Sequence, residues 1–473
     1  MKTHTMKFGG TSVGSPEAIA NVVGIIKESV NSGERVVVVV SAMSGVTDAL
    51  IRSVQMAAVG DKWGYRKLAS DMRERHEDVI NELIKSGMAR DAVLQSIDRL
   101  LDQHRDVCDA VNILGDQTPR VLDAAVSLGE RMSSQMIAAI LQHHNINARA
   151  FDAGTMLITD TNYQAAIPVW AETERRIRAQ LGPALDEGVV PIVTGFIGAT
   201  PDGVYTTLGR GGSDYSAAIF AAYVNSDEFT VWTDVDGVMT TDPRVDPRAR
   251  VLPYISYQEV GELAFYGAKV LHPKTVQPIM TRNIPVRVRN TFNPSHPGTL
   301  ISHEIQESST VIKAVTSIRN VSLMTVSGAG MLGVPGIAGR AFLATANAGA
   351  NILMISQASS EQSFCFTVMD SHASNVRGAV EDELREEILQ KNVDGVSIQE
   401  DVVIVTVVGA GMRGTPGVAG RVFTTLGDQR VNVLAIAQGS SECSISFVVA
   451  ESDLNTAVIK LHDLALDGAA AAS

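Results

Sequence analysis

Five consecutive valines, Val36 to Val40, constrain this chain more than any other feature. An unbroken β-branched run without polar alternation requires a strand covered on both faces, which is the situation inside a parallel sheet. Similar short runs fall at 189–194, 229–233 and 285–288. Helical segments lie between them, as over 16–30, where Ser15 stands in the capping position and Pro16 in the first turn. This βα alternation predicts an α/β fold, a mostly parallel open sheet sandwiched by helices. The stretch from about 48 to 112 has a charged helical pattern and almost no strand signal, and reads as a helical insertion.

Beyond about residue 308 an internal repeat appears. Val326-Ser-Gly-Ala-Gly-Met331-Leu-Gly-Val-Pro-Gly-Ile-Ala-Gly-Arg-Ala-Phe342 recurs as Val407-Val-Gly-Ala-Gly-Met412-Arg-Gly-Thr-Pro-Gly-Val-Ala-Gly-Arg-Val-Phe423. Asn351-Ile-Leu-Met-Ile-Ser-Gln357 recurs at the same spacing as Asn432-Val-Leu-Ala-Ile-Ala-Gln438. Each copy reads strand, glycine turn, helix, strand, strand, helix, strand, a ferredoxin-like α+β unit. Two such copies side by side offer paired clefts for a small regulator. At roughly 150 residues per domain, the 473 residues divide into 1–305, 308–391 and 392–473.

A formal net charge of −13 argues against nucleic acid and anionic membrane as partners. Cys108, Cys365 and Cys443 lie far apart with no CxxC pair, which points to free thiols in a reducing compartment. No apolar run approaches a membrane span and the first residues lack a signal-peptide core, so a soluble, cytoplasmic protein is expected.

Any anionic ligand must then be gripped locally. Thr207-Leu208-Gly209-Arg210-Gly211-Gly212-Ser213-Asp214 lies between a strand-like run (204–208) and an alanine-rich helix (215–222). Glycines at a strand end expose N–H groups, the helix adds the positive end of its dipole, and Arg210 adds a full charge. The plain alternative is a tight turn capped by Ser213 or Asp214. Lys7-Phe8-Gly9-Gly10-Thr11-Ser12 repeats this chemistry at another strand end without the Walker spacing. A lysine there is costly unless it meets an anion. Trp232-Thr233-Asp234 ends a third strand and suits a ribose or base edge, while Lys269 can neutralise a polyphosphate or simply be solvated. The GxGxxG matches at Gly328 and Gly409 lack the following acidic residue, with Asn351 and Asn432 in its place, so NAD is not expected. There is no Ser-His-Asp order or HExxH, and no metal-binding residues are assigned. A kinase with a carboxylate acceptor needs no general base, because the acceptor is already ionised at neutral pH.

Together these segments resemble the aspartate kinases of the amino-acid kinase superfamily. The resemblance runs over essentially the whole chain and is carried by residues 7–12, 39–47, 207–214, 232–234 and 265–273 and by Gly129-Glu130-Arg131. It implies transfer of the ATP γ-phosphoryl group to the side-chain carboxylate of L-aspartate. The product, 4-phospho-L-aspartate, opens the route to lysine, threonine, methionine and diaminopimelate. By position, Lys7 would stabilise the transferring group, and Asp214 would organise Lys7 or the metal end of the site. Arg210 would pair with the α-carboxylate of aspartate and Glu130 with its ammonium, and Ser41, Thr47, Thr207 and Ser213 would complete that pocket. Gly9, Gly10, Thr11, Thr233, Asp234, Arg244, Lys269 and Val270 would hold ATP with Mg²⁺, together with Met239, which stands where many relatives carry a tyrosine.

The repeat resembles paired ACT regulatory modules of the threonine-responsive type. Gln357, Gln438, Asn351 and Asn432 would contact the effector, threonine first and lysine as the other candidate. A homodimer or homotetramer through these modules is implied, with one module free to borrow a strand from the tail. Some such relatives continue into a homoserine dehydrogenase, which a chain ending at Ser473 is expected to lack. The competing readings are a kinase for glutamate or N-acetylglutamate, and an amino-acid sensor with an inactive kinase-like domain.

Overall fold

The computed structural model describes residues 1–267, 271, 273–304, 310–332, 334–357, 362–439 and 443–470. They form two compact units. The first is built from Met1–Val238, Pro253–Tyr257 and the described part of Val270–Glu304. The second takes Met239–Leu252 and the described parts of Gln258–Lys269 and Ile305–Ser473.

In chain order the first stretch runs β1 (Thr3–Phe8), α1 (Pro16–Asn31), β2 (Arg35–Val40), α2 (Val46–Ala58), α3 (Lys62–Leu83), α4 (Met88–Leu114), α5 (Pro119–His143), β3 (Ala148–Phe151), α6 (Trp170–Asp186), β4 (Val190–Thr194), β5 (Ile197–Ala199), β6 (Tyr205–Thr207), α7 (Gly212–Tyr223), β7 (Glu228–Thr233), β8 (Tyr254–Ser256), α8 (Tyr257–Phe265), α9 (Pro273–Met280), β9 (Val286–Asn290) and β10 (Thr299–Ser302). The main sheet has the order β3-β4-β2-β1-β7-β9-β10-β8. All neighbours are parallel except β9 and β10.

The valine run is β2, near the middle of this sheet. Val36, Val38 and Val40 join a core with Ile19, Val22 and Ile26 of α1 and Met136, Ile137 and Ile140 of α5. Val37 and Val39 point the other way and are equally buried, so both faces are covered. Each buried valine contributes about 1.5–3 kcal/mol. The Ser15 hydroxyl caps α1, accepting from Ala18 N at 3.2 Å, and Pro16 sits in the first turn. The expected insertion is α2 to α4, packed on α5 through Val54, Tyr65, Cys108, Val111 and Ala125. One short strand stands apart from the main sheet. Residues 204–208 do supply β6, but it pairs only with β5 in a separate antiparallel hairpin, because the chain turns at Gly195 and Phe196 after leaving β4.

The second unit continues with β11 (Ala314–Ser327), α10 (Ile337–Asn347), β12 (Met354–Gln357), β13 (Ser363–Met369), α11 (Asp370–Glu383), α12 (Arg385–Leu389), β14 (Gly395–Val408), α13 (Val418–Asp428), β15 (Ala435–Ala437), β16 (Ser444–Ala450) and α14 (Leu454–Ala470). Its antiparallel sheet has the order β12-β13-β11-β14-β16-β15. Both long strands, β11 and β14, are shared between the repeat copies. Leu323 to Ser327 pairs with Gly395 to Gln399, and Ala314 to Ile318 pairs with Ile404 to Val408, with bulges between. The strand closing the second copy therefore comes from ahead of the first copy, not from the tail. Each copy has its own core. In the first, Met324, Val326, Phe364 and Phe366 pack on Ala341, Val376 and Val380. In the second, Val405, Val407 and Phe447 pack on Val422, Leu426, Val458 and Leu461.

Two early segments are tied into this second unit. Glu259 of α8 is fully buried, accepting from Lys313 Nζ at 3.1 Å and from Ala410 N at 2.6 Å. His462 of α14 is hydrogen-bonded to Asp246 and Thr240, both at 2.8 Å.

Candidate active site

The carboxyl ends of the parallel strands bring the sequence motifs together, as open α/β sheets do for their ligands. Lys7 and Phe8 end β1. The loop that follows is stitched to its neighbours on both sides: Gly9 N donates to Trp232 O at 3.2 Å, Ser41 N to Phe8 O at 3.2 Å, and Ser44 N to Gly10 O at 3.1 Å. The Ser12 hydroxyl bonds that of Thr291 at 2.7 Å, which leaves Thr11 facing out.

Beside this loop lies a cleft of about 750 Å³ lined by Lys7, Ser41, Thr47, Thr207, Arg210, Ser213 and Asp214. Its size falls in the range of about 300–1,000 Å³ usual for small-molecule sites. Lys7 is buried and its Nζ lies 2.6 Å from Asp214 Oδ1. That pairing answers the cost of a buried cation. Asp214 is the third residue of α7, where the helix dipole favours a carboxylate. Neither Ser213 nor Asp214 caps this helix. Gly211 takes the cap in the left-handed region at φ 71°, with no side chain on the helix start. Gly209 is also left-handed, at φ 77°, and a Cβ there would lie 2.9 Å from Gln164 O. The loop thus holds Arg210 at the cleft, exposed and without an ion pair among the described residues.

Glu130 of α5 is buried and is not among the residues lining the cleft, and its Oε2 has no hydrogen-bond partner among the described residues. Burial pushes its carboxyl up to about 8, against the opposing effects of the Ala42 backbone and the Lys7 charge. A buried acid with no ion pair among the described residues is a natural receptor for a ligand ammonium.

Other assigned residues lie elsewhere. Thr233 ends β7 and its hydroxyl donates to Asp234 at 3.2 Å, outside the residues lining the cleft. Met239 and Arg244 belong to the second unit, where Arg244 is exposed and held by Asp242 at 2.6 Å. Lys269 and Val270 lie outside the described residues. Gln357 ends β12 and is exposed, as are Asn351 and Asn432. Gln438, also exposed, lines a cavity of about 280 Å³ with Met412, Gly417, Val418 and Ala419, at the start of α13. The corresponding turn of the first copy contains Gly333, which lies outside the described residues.

Several cleft residues escaped the motif reading, among them the polar Asp123 and Gln164 and the aromatic Phe196. Among the described residues no group of three His, Cys, Asp or Glu side chains could hold a metal ion, and no helix is long and apolar enough to cross a membrane.

A mostly parallel sheet with glycine-rich loops beside its carboxyl ends, followed by a duplicated α+β unit with an antiparallel sheet, matches the layout of known protein families. The amino acid kinase family model matches residues 3–290, and an ACT domain model matches 324–384 and 405–464. The chain belongs to the amino acid kinase family and carries two ACT domains. It is 37% identical over 462 residues to bifunctional aspartokinase/homoserine dehydrogenase 1 of Arabidopsis thaliana, a match covering 96% of this chain and 50% of that one. The chain spans about half the length of the bifunctional plant relatives it matches. Among solved structures it resembles E. coli aspartokinase III in complex with aspartate and ADP (R-state), with TM-score 0.82 and 30% identity over 98% of this chain and 99% of that one. The same E. coli protein with lysine and aspartate (T-state) aligns with TM-score 0.77, 30% identity and the same coverage.

Proposed function

We propose that the chain is an ATP-dependent aspartate kinase. The γ-phosphorus of ATP is attacked by a side-chain carboxylate oxygen of L-aspartate, the bond to the β,γ-bridging oxygen breaks, and 4-phospho-L-aspartate and ADP leave. The acceptor is ionised at neutral pH, its pKa being about 4. What remains is alignment and neutralisation of phosphate charge. Lys7 stabilises the transferring group, Asp214 orients Lys7, Arg210 takes the α-carboxylate and Glu130 the ammonium, and Ser41, Thr47, Thr207 and Ser213 shape the pocket. The observation that carries this reading is that Lys7, Arg210, Ser213 and Asp214 line one cleft. The aspartokinase III neighbour, bound to aspartate and ADP, supports it.

The same reading assigns ATP to Gly9, Gly10, Thr11, Thr233, Asp234, Met239, Arg244, Lys269 and Val270. Mg²⁺ would be carried largely by the phosphates, as is usual for this ion. Catalysis falls to 1–305 and sensing to 308–391 and 392–473. In this reading the enzyme opens the route to lysine, threonine, methionine and diaminopimelate, works in the cytoplasm, and assembles as a homodimer or homotetramer through its ACT domains.

Threonine is the effector we assign, held by Gln357, Gln438, Asn351 and Asn432. The cavity beside Gln438 at the start of α13 supports a carboxylate ligand there. Lysine is the alternative, on the strength of the lysine-bound neighbour.

ADP release measured with aspartate, glutamate and N-acetylglutamate tests the substrate. Aspartate should be strongly preferred; Glu130, which seeks a free ammonium, disfavours the acylated amine of N-acetylglutamate. A preference for either of the others would refute the assignment.

A further inference from the structure

We propose that Asp123 is the positioning residue that sets the span of the amino-acid pocket, by clamping the Arg210 loop to the helix that carries Glu130. The inference rests on the aspartate-kinase reading above. Asp123 is buried and sits on α5 about two turns before Glu130, on the same face of the helix. Its Oδ2 accepts two backbone donors, Gln164 N at 2.9 Å and Thr207 N at 2.9 Å, and its Oδ1 accepts the Thr207 hydroxyl at 2.8 Å. One carboxylate thus joins three separate segments: α5, the 161–167 loop and the root of the glycine loop.

Burial pushes the Asp123 carboxyl upward, and these three donors oppose that shift by favouring the carboxylate, to which bonds are stronger than to a neutral acceptor. The bonds also hold a strained neighbour. Gln164 lies in the left-handed region at φ 69°, where a side chain is disfavoured, and its carbonyl is the surface against which Gly209 packs. Release of Asp123 would free both the Gln164 turn and Thr207, two residues before Gly209. The loop carrying Arg210 would then no longer be tied to the helix carrying Glu130.

These two groups read opposite ends of an amino acid zwitterion, so the distance between them bears on which acceptor places its side-chain carboxylate at the phosphoryl group. Loss of one rigid ion-supported contact should therefore appear in acceptor affinity and in discrimination by chain length, and little in ATP affinity. Thr207, assigned to substrate above, acts in this account by donating to Asp123.

The test compares the full-length wild type with Asp123→Ala, Asp123→Asn and Thr207→Val. KM and kcat are measured for aspartate, glutamate and ATP, together with hydrogen–deuterium exchange and thermal melting. Asp123→Ala should raise the aspartate KM about tenfold or more, as expected for loss of charge-assisted bonds. It should narrow the aspartate-to-glutamate preference, leave the ATP KM within about twofold, and speed exchange over 161–167 and 205–214 alone. Asp123→Asn should restore much of this, because the Thr207 hydroxyl can turn to accept from the new amide. Thr207→Val, which keeps the shape, should show a smaller rise of the same kind and decides the matter if Asp123→Ala does not fold. Wild-type acceptor KM and wild-type exchange in Asp123→Ala and Thr207→Val would overturn the proposal, as would equal losses for aspartate and ATP. If the wild type releases no ADP with aspartate, the parent reading fails, and the exchange pattern still decides whether Asp123 holds the loop.

Discussion

Lys7 Nζ and Asp214 Oδ1 stand 2.6 Å apart, joining the end of β1 to the first turn of α7. The pair faces the cleft, so the lysine is held with its charge balanced until a phosphate arrives. Lys7→Ala should lower kcat by about a hundredfold or more, the scale of removing one preorganised donor at a developing charge. Its melting temperature should fall only slightly, because Asp214 keeps the helix dipole. Asp214→Asn should lower kcat and stability together, since it leaves a buried ammonium unpaired. Steady-state kinetics with melting curves separates the two patterns, and near-normal turnover in Lys7→Ala would remove Lys7 from the mechanism.

Glu130 gives a pH signature. Burial raises its carboxyl to about 8, from an ordinary value near 4.5. Below that value the site holds a neutral acid, which binds an ammonium poorly, so the aspartate KM should fall as pH rises from 6.5 to 8.5. Glu130→Gln should raise this KM and flatten its pH dependence. Stability runs in the opposite sense. The folded state holds a proton that the unfolded state has released, so wild-type stability declines as pH rises from about 4.5 to about 8. The melting temperature of Glu130→Gln, relative to wild type, should therefore climb over that window. A constant difference would show that Glu130 is not a buried, uncompensated acid.

The parts of this architecture written locally were legible. The valine run announced a central strand because burial on both faces removes alternation, and Ser15-Pro16 announced the start of α1 through capping chemistry. The repeat announced a duplicated α+β unit through equal spacing, its ACT character followed from resemblance, and three motif stretches supplied much of the cleft. What escaped depends on partners distant in the chain. Asp123 is a single acid on an ordinary helix, and its donors come from Gln164 and Thr207. A borrowed strand was anticipated, but its source was hidden, because the similarity between copies begins at Val326 and Val407, whereas the closing strand of the second copy lies earlier, at Ala314 to Ile318. For β6 the strand was legible but its partner was not assigned, since three residues carry no signal of which sheet they join.

The buried pair Glu259–Lys313 offers a test of the second unit. Their side chains are 0% and 6% exposed, and Glu259 also accepts from Ala410 N. Glu259→Leu should destabilise this unit by about 3–5 kcal/mol, because it leaves a buried ammonium and an amide without that acceptor. The double variant Glu259→Leu with Lys313→Met should regain a large part of the loss. Chemical denaturation of the full chain followed in a double-mutant cycle measures the coupling, and additive losses would count against a coupled pair.

The effector assignment is tested at Gln438. Gln438→Ala should shift the threonine concentration for half-inhibition upward about fivefold or more, matching a coupling change of about 1 kcal/mol. Turnover without effector should stay as in the wild type. Inhibition curves with threonine and lysine check this. Inhibition by lysine alone, or an unshifted threonine curve, would assign the cavity at α13 to something else.

The most direct measurement is chemical capture of the product. Acyl phosphates react with hydroxylamine to give hydroxamates, so ATP, Mg²⁺, aspartate and hydroxylamine with the full-length protein should yield aspartyl β-hydroxamate and one ADP per hydroxamate, and Lys7→Ala should yield almost none. Absence of this hydroxamate with the wild type, or formation of a glutamyl hydroxamate in its place, would contradict the claim that Lys7, Arg210 and Asp214 form a cleft for phosphorylating aspartate.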